Sequence, residues 1–434
     1  MRKINVTFGG NSSWISQTTS GILQFLEEAF VVGVLLFYTG MIGPLMNQGI
    51  FDRTSRLETV LGALIFAIVV PLLLINLKQA VRVLMRSPAL IVLTTFLCVS
   101  LLWSDAYSTS ARGIFLLLRA SAFALYFATR FSLKQQFRLL AWCLGISIVG
   151  SFLLAVVLPN YAIMGSDPGL SGDGTQESIH AGSWKGVFGH KNVLSRYMVL
   201  STIVFLLSLV YSRGYKVVMW IGLASSIVLV ALSTSRTGLA VLLFLVFLVP
   251  LYSRLKFKSI ASSILPILLV LIGGSALIFF VSNTEMVLGT LGRDATLTGR
   301  TELWTASWEQ AMQRPLVGHG YGAFWRTMLA YEVWTKVGWA APHSHNGYID
   351  ALIDLGFVGL ALAIVSSIVV AFYGLRFLKQ GKSLEGIWIL LFLTFLLFYN
   401  FTESSFFRQT FLWLVYFSIS LSAASDHLIS QSDE

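Results

Sequence analysis

Apolar runs recur along this chain from end to end, broken by short polar connections, and most approach the ~20 residues a helix needs to cross hydrocarbon. About twelve spans can be read, at 29–46, 58–77, 88–103, 113–130, 137–158, 193–211, 216–233, 237–252, 259–281, 350–375, 384–400 and 406–424. No internal repeat and no low-complexity tract interrupts them. The pattern predicts an all-α, polytopic integral membrane protein. Two connections are long, 159–192 and 282–346. The first lies within a nine-helix portion over 1–281; the second forms a lid over 282–349, followed by a last set of three helices with the C-terminus over 350–434. The lid should be helical. Thr298 can cap a helix through RTELWTASWEQAMQ, with Trp304 and Trp308 at i, i+4. Arg314-Pro315 ends it, GHGYG makes a turn, and AFWRTMLAYEVW is expected to bring aromatic residues to the membrane interface.

Composition changes the picture little. Of 434 residues 56% are hydrophobic and 12% charged, too few charges to coat a soluble protein of this size. The net charge of +10 would suit a nucleic-acid partner, but its distribution does not. The basic residues fall in clusters at alternate connections: Lys78/Arg82/Arg86, Arg130/Lys134/Arg138, Arg213/Lys216, Arg254/Lys256/Lys258 and Arg376/Lys379/Lys382. All share a side with Arg2 and Lys3, so that side and both termini are expected in the cytoplasm, with the long connections opposite. No cleaved signal peptide is expected. Cys98 and Cys143 fall in apolar runs and read as packing residues.

Four arginines and a pair of histidines stand out. Arg236 occupies a very short turn on the cation-poor side, flanked by Ser233, Thr234, Ser235 and Thr237, a donor cluster suited to phosphate; a snorkelling interface charge is the alternative. Arg300 lies in the first turn of the lid helix, where a cation opposes the dipole unless an anion binds there; a solvated arginine is the alternative. Arg119 and Arg196 lie inside spans and should face the bundle interior. Arg119 either pairs with Glu27 or Glu28 or lines a substrate cavity.

His343 and His345, in PHSHNGYIDALIDLG, stand at the mouth of the tenth span. Three readings compete. His-x-His could hold zinc with His319 or His190, but no Cys or close carboxylate completes the set. Ser344 and Asn346 could instead make the stretch a helix cap. Finally, imidazole near its ordinary pKa of ~6.5 suits a general base for a hydroxyl, with Asp350 and Asp354 placed to orient it.

SHNGYIDALIDLG, GRTELW, STSRTG and LLWSDAYSTSARG together resemble the O-antigen ligase and Wzy-type polysaccharide polymerase superfamily over about residues 88–400. GSWKGVFGHKNVLSRYM (182–198) is similar to exopolysaccharide polymerases of the succinoglycan type. The resemblance implies a membrane-glycosyltransferase (GT-C-like) bundle in the bacterial inner membrane, under a periplasmic lid. It implies transfer of glycan from an undecaprenyl-diphosphate donor to a glycan acceptor hydroxyl, without metal or other cofactor. His345 would be the base, and Arg236 and Arg300 would grip the diphosphate. Arg119, His190, Lys191, His343, Asn346 and Tyr348 would line the substrate path, although a plain loop turn at Gly189 also accounts for His190 and Lys191. Flippase and chain-length regulator proteins would be further partners. The rival activities are an O-antigen ligase with a lipid A–core acceptor, a transporter of lipid-linked glycans with discontinuous helices, and a non-catalytic assembly subunit.

Overall fold

The computed structural model describes residues 12–41, 56–165, 180–212, 214–254, 273–274, 300–404, 407 and 410–432. The expected ninth span apart from two residues, the lid before Arg300 with its Thr298 cap, part of the first long loop, and Arg2, Lys3, Arg213, Lys256 and Lys258 lie outside them. Among the described residues the chain is helical, with one isolated β-bridge between Ile163 and Trp184. The helices are α1 (Ser12–Tyr38), α2 (Arg56–Ile75), α3 (Leu77–Met85), α4 (Pro88–Val99), α5 (Tyr107–Arg130), α6 (Leu133–Val157), α7 (Lys191–Tyr211), α8 (Lys216–Leu232), α9 (Arg236–Arg254), α10 (Arg300–Ala311), α11 (Tyr331–Val337), α12 (Gly347–Lys379), α13 (Ser383–Asn400) and α14 (Thr410–Ser432). Seven of them are long and apolar enough to cross a membrane, or eight spans if the bent pair α3–α4 counts as one. α8 and α9 are shorter apolar helices on two further expected spans. The protein is a polytopic, all-helical membrane protein.

Most boundaries fall where the apolar runs put them, and local chemistry explains why. α6 starts at a capping box: Ser132 Oγ accepts from Gln135 N at 3.4 Å while Ser132 N donates to Gln135 Oε1 at 2.9 Å. Two expectations need correction. The first apolar window is Gly21–Tyr38 rather than 29–46, because Glu27 and Glu28 do not end it. Arg130 Nε pairs with Glu27 at 2.8 Å and Arg138 Nη2 with Glu28 at 2.6 Å, so both carboxylates are tolerated inside the helix. The tenth span is not continuous. Gly356 adopts φ 65, ψ −170 and breaks α12 after its first two turns.

That break is built to receive the lid. A discontinuity in a spanning helix exposes backbone donors and acceptors that must be satisfied internally. Here residues 315–320 lie along it. His319 N and Gly320 N donate to the carbonyls of Ile353 and Asp354 at 2.8 and 2.9 Å, while Phe357 N and Val358 N donate to Pro315 and Leu316 at 2.7 and 3.1 Å. A Cβ at position 356 would strike the Leu316 carbonyl, and the positive φ already favours glycine. LLWSDA fastens the lid from the other side. Arg314 Nη2 pairs with Asp105 at 2.8 Å, His319 Nδ1 meets the same carboxylate at 2.7 Å, and Trp103 Nε1 donates to the Val317 carbonyl at 3.0 Å. The lid also has its own core, in which Leu303, Phe324, Trp325 and Val333 pack on Ile353. Phe324 and Trp325 are therefore buried, not interfacial as the amphipathic reading had it; Met328 and Tyr331 take the exposed positions.

α7 and α13 are the most buried of the spanning helices and form the centre of the bundle. α13 carries the ladder Trp388, Phe392, Phe395, Tyr399, with adjacent rings at 5.4, 6.2 and 4.8 Å. Its N-terminal end meets basic residues, Lys134 pairing with Glu385 at 3.4 Å. Its C-terminal end, roughly 27 Å away for 18 residues, leads to Glu403 and the histidines. The basic rim and the histidine cluster thus occupy opposite ends of the central helix.

Candidate active site

The stretch from His343 to Asn346 is held by a buried carboxylate. Asp350, one turn into α12, accepts from Ser344 N at 3.1 Å and from Trp325 Nε1 at 2.7 Å, and Ser404 Oγ bonds its second oxygen. Trp304 Nε1, on the lid helix, donates to the Ser344 carbonyl at 2.9 Å. Asp350 therefore orients the histidines through the backbone between them, not through an imidazole. Pinned this way, His345 sits at φ 54, a left-handed conformation uncommon outside glycine and asparagine. Such strain is worth about 1–3 kcal/mol and persists where the surroundings over-determine it.

The two rings lie 4.1 Å apart and face one acidic group, Glu403, in the segment between α13 and α14. Glu403 Oε1 accepts from Asn192 Nδ2 at 2.8 Å. Its Oε2 lies 3.4 Å from His345 Nδ1, 3.8 Å from His343 Nε2 and 3.9 Å from Arg196 Nη2. The His345 contact is close enough for charge pairing but lacks the alignment of a hydrogen bond, a common state before substrate binds. Burial alone would raise the Glu403 carboxyl, but the rings of His345 and His343 and the Arg196 guanidinium outweigh it and hold it well below the usual carboxylate range. Arg196, 2% exposed, also lies over the Tyr399 ring at 5.7 Å, as an intramembrane cation facing the bundle interior should.

Glu403 is the carboxylate missing from the sequence-level metal set: it and the two histidines offer ligand atoms within 4.8 Å of one another. Their protons argue against that use. His343 Nδ1 accepts from His345 N at 3.0 Å, so a neutral His343 carries its proton on Nε2, the nitrogen facing Glu403 and the one a shared metal would need.

A second group of residues lies beside the first. His190 caps α7, its Nδ1 accepting from Asn192 N at 3.2 Å. Burial pushes its imidazole down to about 4, with His180 and Lys191 adding to the shift and Glu403 opposing it, so near neutral pH it is an uncharged Nε2–H donor. Lys191 opens α7 and Arg236 opens α9, close enough for their charges to interact. The two helix starts meet because Gly238 has no side chain: a Cβ there would overlap the Ser195 hydroxyl. Thr234, β-branched and at φ 51, holds its hydroxyl 2.7 Å from Ser183 Oγ and 3.4 Å from Lys191 Nζ. Two cations at two helix N-termini form a concentrated positive field. Arg300 comes from the lid, one turn before Trp304, with its Nη1 buried and without a hydrogen-bond partner among the described residues.

Not every expected contributor belongs to this cluster. Ser233 donates to the Val230 carbonyl at 2.6 Å and Ser235 accepts from Gly238 N at 3.3 Å, so both serve helix ends rather than an anion. Asn346 is the α12 cap, its Oδ1 accepting from Tyr348 N and Ile349 N at 3.0 and 3.3 Å. Tyr348 donates to the Leu397 carbonyl at 3.0 Å and packs on Phe401, which ties α12 to α13. Arg119 pairs with neither Glu27 nor Glu28. It lies over Phe37 and Tyr38 at 5.6 and 5.9 Å and against Gly62, and none of these contacts reaches the histidines. His319 belongs to the lid latch and His190 to a cap, so neither joins a His-x-His metal set. Glu403, Asn192 and Arg196 complete the cluster. A lone acid in a short connection on the cation-poor side, NFTESSFF, was the readable signal for Glu403.

Comparison with known proteins bears on the same segment. Residues 221–364 match the O-antigen ligase family. That region contains Arg236, Arg300, His343 and His345, while Lys191, Asn192, Arg196 and Glu403 lie outside it. The chain is also 27% identical over 365 residues, 80% of its own length and 79% of the relative's, to the exopolysaccharide production protein ExoQ of Rhizobium meliloti (strain 1021). The O-antigen ligase match thus carries one imidazole pair and two arginines, and the rest of the fold brings the Glu403 carboxylate to the imidazoles and Lys191 to Arg236.

Proposed function

We propose that the protein is an inverting, metal-independent glycosyltransferase that polymerises lipid-linked oligosaccharide repeat units at the periplasmic face of a bacterial inner membrane. The observation that carries this reading is the pairing of an imidazole held near a buried carboxylate with cations at two helix starts; the imidazole and Arg236 lie in the region similar to O-antigen ligases. His345 Nε2 takes the proton of an acceptor sugar hydroxyl. The alkoxide oxygen attacks the anomeric carbon, the C–O bond to the diphosphate breaks, and undecaprenyl diphosphate leaves with the electron pair. Arg236, Lys191 and Arg300 meet the charge that develops on the leaving group. Attack from the face opposite the diphosphate inverts the anomeric configuration. His190, a neutral donor, can bond a sugar oxygen.

The wider architecture belongs to the same proposal: about twelve spans in a GT-C-like bundle, both termini in the cytoplasm, and the lid outside. Asymmetry of the basic residues supports it, since Lys134 and Arg138 stand at the end of the bundle away from His345. With Cys98 and Cys143 replaced by serine, single cysteines at Tyr331, on the lid, and Lys379, at the end of α12, test the orientation. An impermeant maleimide should label position 331 in intact spheroplasts and leave 379 untouched. Labelling of 379 but not 331 would invert the topology.

The family description favours a second reading, ligation of finished polymer to lipid A–core by the same chemistry. A deletion strain separates the two: polymerase loss should leave single repeat units, whereas ligase loss leaves finished polymer on the carrier lipid. A transporter would draw support from the broken helix α12, but the groups freed at Gly356 are bonded by the lid segment, so the break serves docking.

A further inference from the structure

Glu403 stands outside the matched family segment, yet its position is closely controlled. Asn192 holds Oε1 at 2.8 Å, which leaves Oε2 turned toward the imidazoles. Ser404, its neighbour, and Ser344, the neighbour of His345, both bond Asp350, so a single buried carboxylate sets the spacing between acid and imidazole. Of the nitrogen groups around Oε2, His345 is nearest, at 3.4 Å, ahead of His343 and Arg196. Glu403 is 5% exposed, so solvent screens this interaction little. A structural partner for Arg196 alone would lie against the guanidinium, and the observed order is the reverse.

We propose that Glu403 is the positioning residue of His345: its Oε2 holds the proton on Nδ1, keeping Nε2 as the lone-pair nitrogen, and faces the imidazolium formed when the acceptor hydroxyl is deprotonated. The inference rests on the reading of His345 as the base. It follows the general logic of a carboxylate that fixes the tautomer and orientation of a catalytic histidine without itself taking the proton. Other charges face the pair. His343 lies on the same stretch, Arg196 on α7, and His190 at the start of α7, where it stays neutral in the working range.

The test is the pH dependence of repeat-unit polymerisation by purified protein in liposomes. Glu403→Gln keeps the shape and an oxygen but removes the charge. We expect a loss of about 10²-fold in kcat, at the low end of what general-base help is worth, with donor binding retained. The acid limb of its rate profile should move to lower pH, because an imidazolium without its anion gives up its proton more easily. Glu403→Asp, which keeps the charge, should leave that limb near the wild-type position. A wild-type rate in Glu403→Gln, or a slow variant with an unmoved acid limb, overturns the proposal. Should the variant fail to insert, ¹⁵N solid-state NMR of the wild-type protein decides: the His345 signal, assigned by its loss in His345→Ala, should report a proton on Nδ1, and a proton on Nε2 overturns the idea. The two levels separate cleanly. A polymerising His345→Ala sinks the base reading, whereas a dead His345→Ala beside a normal Glu403→Gln rejects Glu403 alone.

Discussion

His345→Ala is expected to abolish polymer formation while the protein still inserts and binds its lipid-linked donor. The two roles rest on different residues. In the proposed reaction donor binding draws on Arg236, Lys191 and Arg300 and on apolar contact with the prenyl chain, none of which involves the imidazole. Proton removal draws on the imidazole, and general-base help is typically worth about 10²–10⁴-fold. The left-handed backbone at position 345 offers a cleaner variant still, since His345→Asn keeps a residue that tolerates that conformation and removes the base. His343→Ala should cost far less. It removes the acceptor for His345 N, a neutral hydrogen bond worth about 1 kcal/mol or roughly fivefold. Polymerisation and donor binding are measured side by side in liposomes. Normal turnover by His345→Ala, or a dead His343→Ala beside an active His345→Ala, would place the chemistry on the wrong histidine.

Arg236→Lys and Arg300→Lys should each lose most of the activity although both keep the charge. A lysine is a point donor and cannot present the planar fork that takes two phosphate oxygens. Losing one charge-assisted hydrogen bond removes about 1.5–3 kcal/mol, ten- to more than a hundredfold if the bond forms mainly in the transition state. Arg300 offers the sharper case, because its Nη1 is buried and a shorter ammonium could not occupy that position. Lys191→Ala is a useful companion: it thins the field at the two helix starts without touching either fork. Near-normal rates in both arginine variants would mean that these residues supply only a general potential.

The sequence made the helices legible because apolar runs of spanning length have few other uses. It also made the histidines legible, since His343 and His345 sit where an apolar helix begins and nothing about the helix requires them. What stayed hidden depends on which helices touch. Arg119 and Arg130 lie on the same helix, and nothing along the chain says which of them meets Glu27; the register between α1 and α5 decides it. The break at Gly356 was hidden for a similar reason. DLGFVG reads as ordinary apolar helix until residues 315–320 are found bonded to its freed backbone groups. Glu403 carries a local signal as a lone acid in a short connection, but only the fold of α13 against α12 brings it to His345. Asn346 and Tyr348, expected along the substrate path because they belong to the motif, have a structural part that the sequence did not show, capping α12 and pinning it to α13.

The central claim is that this chain alone transfers glycan from a lipid diphosphate to a sugar hydroxyl. The most direct measurement supplies purified protein in liposomes with undecaprenyl-diphosphate-linked repeat units and EDTA, and follows both free undecaprenyl diphosphate and glycan length. Carrier lipid should be released in step with glycan growth, about one per unit added, and chelation should change neither, because a metal on His343 Nε2 would move the ring proton to Nδ1 and break the bond from His345 N. Absence of glycan growth, or growth that stops with chelator and returns with one specific divalent ion, would contradict the account.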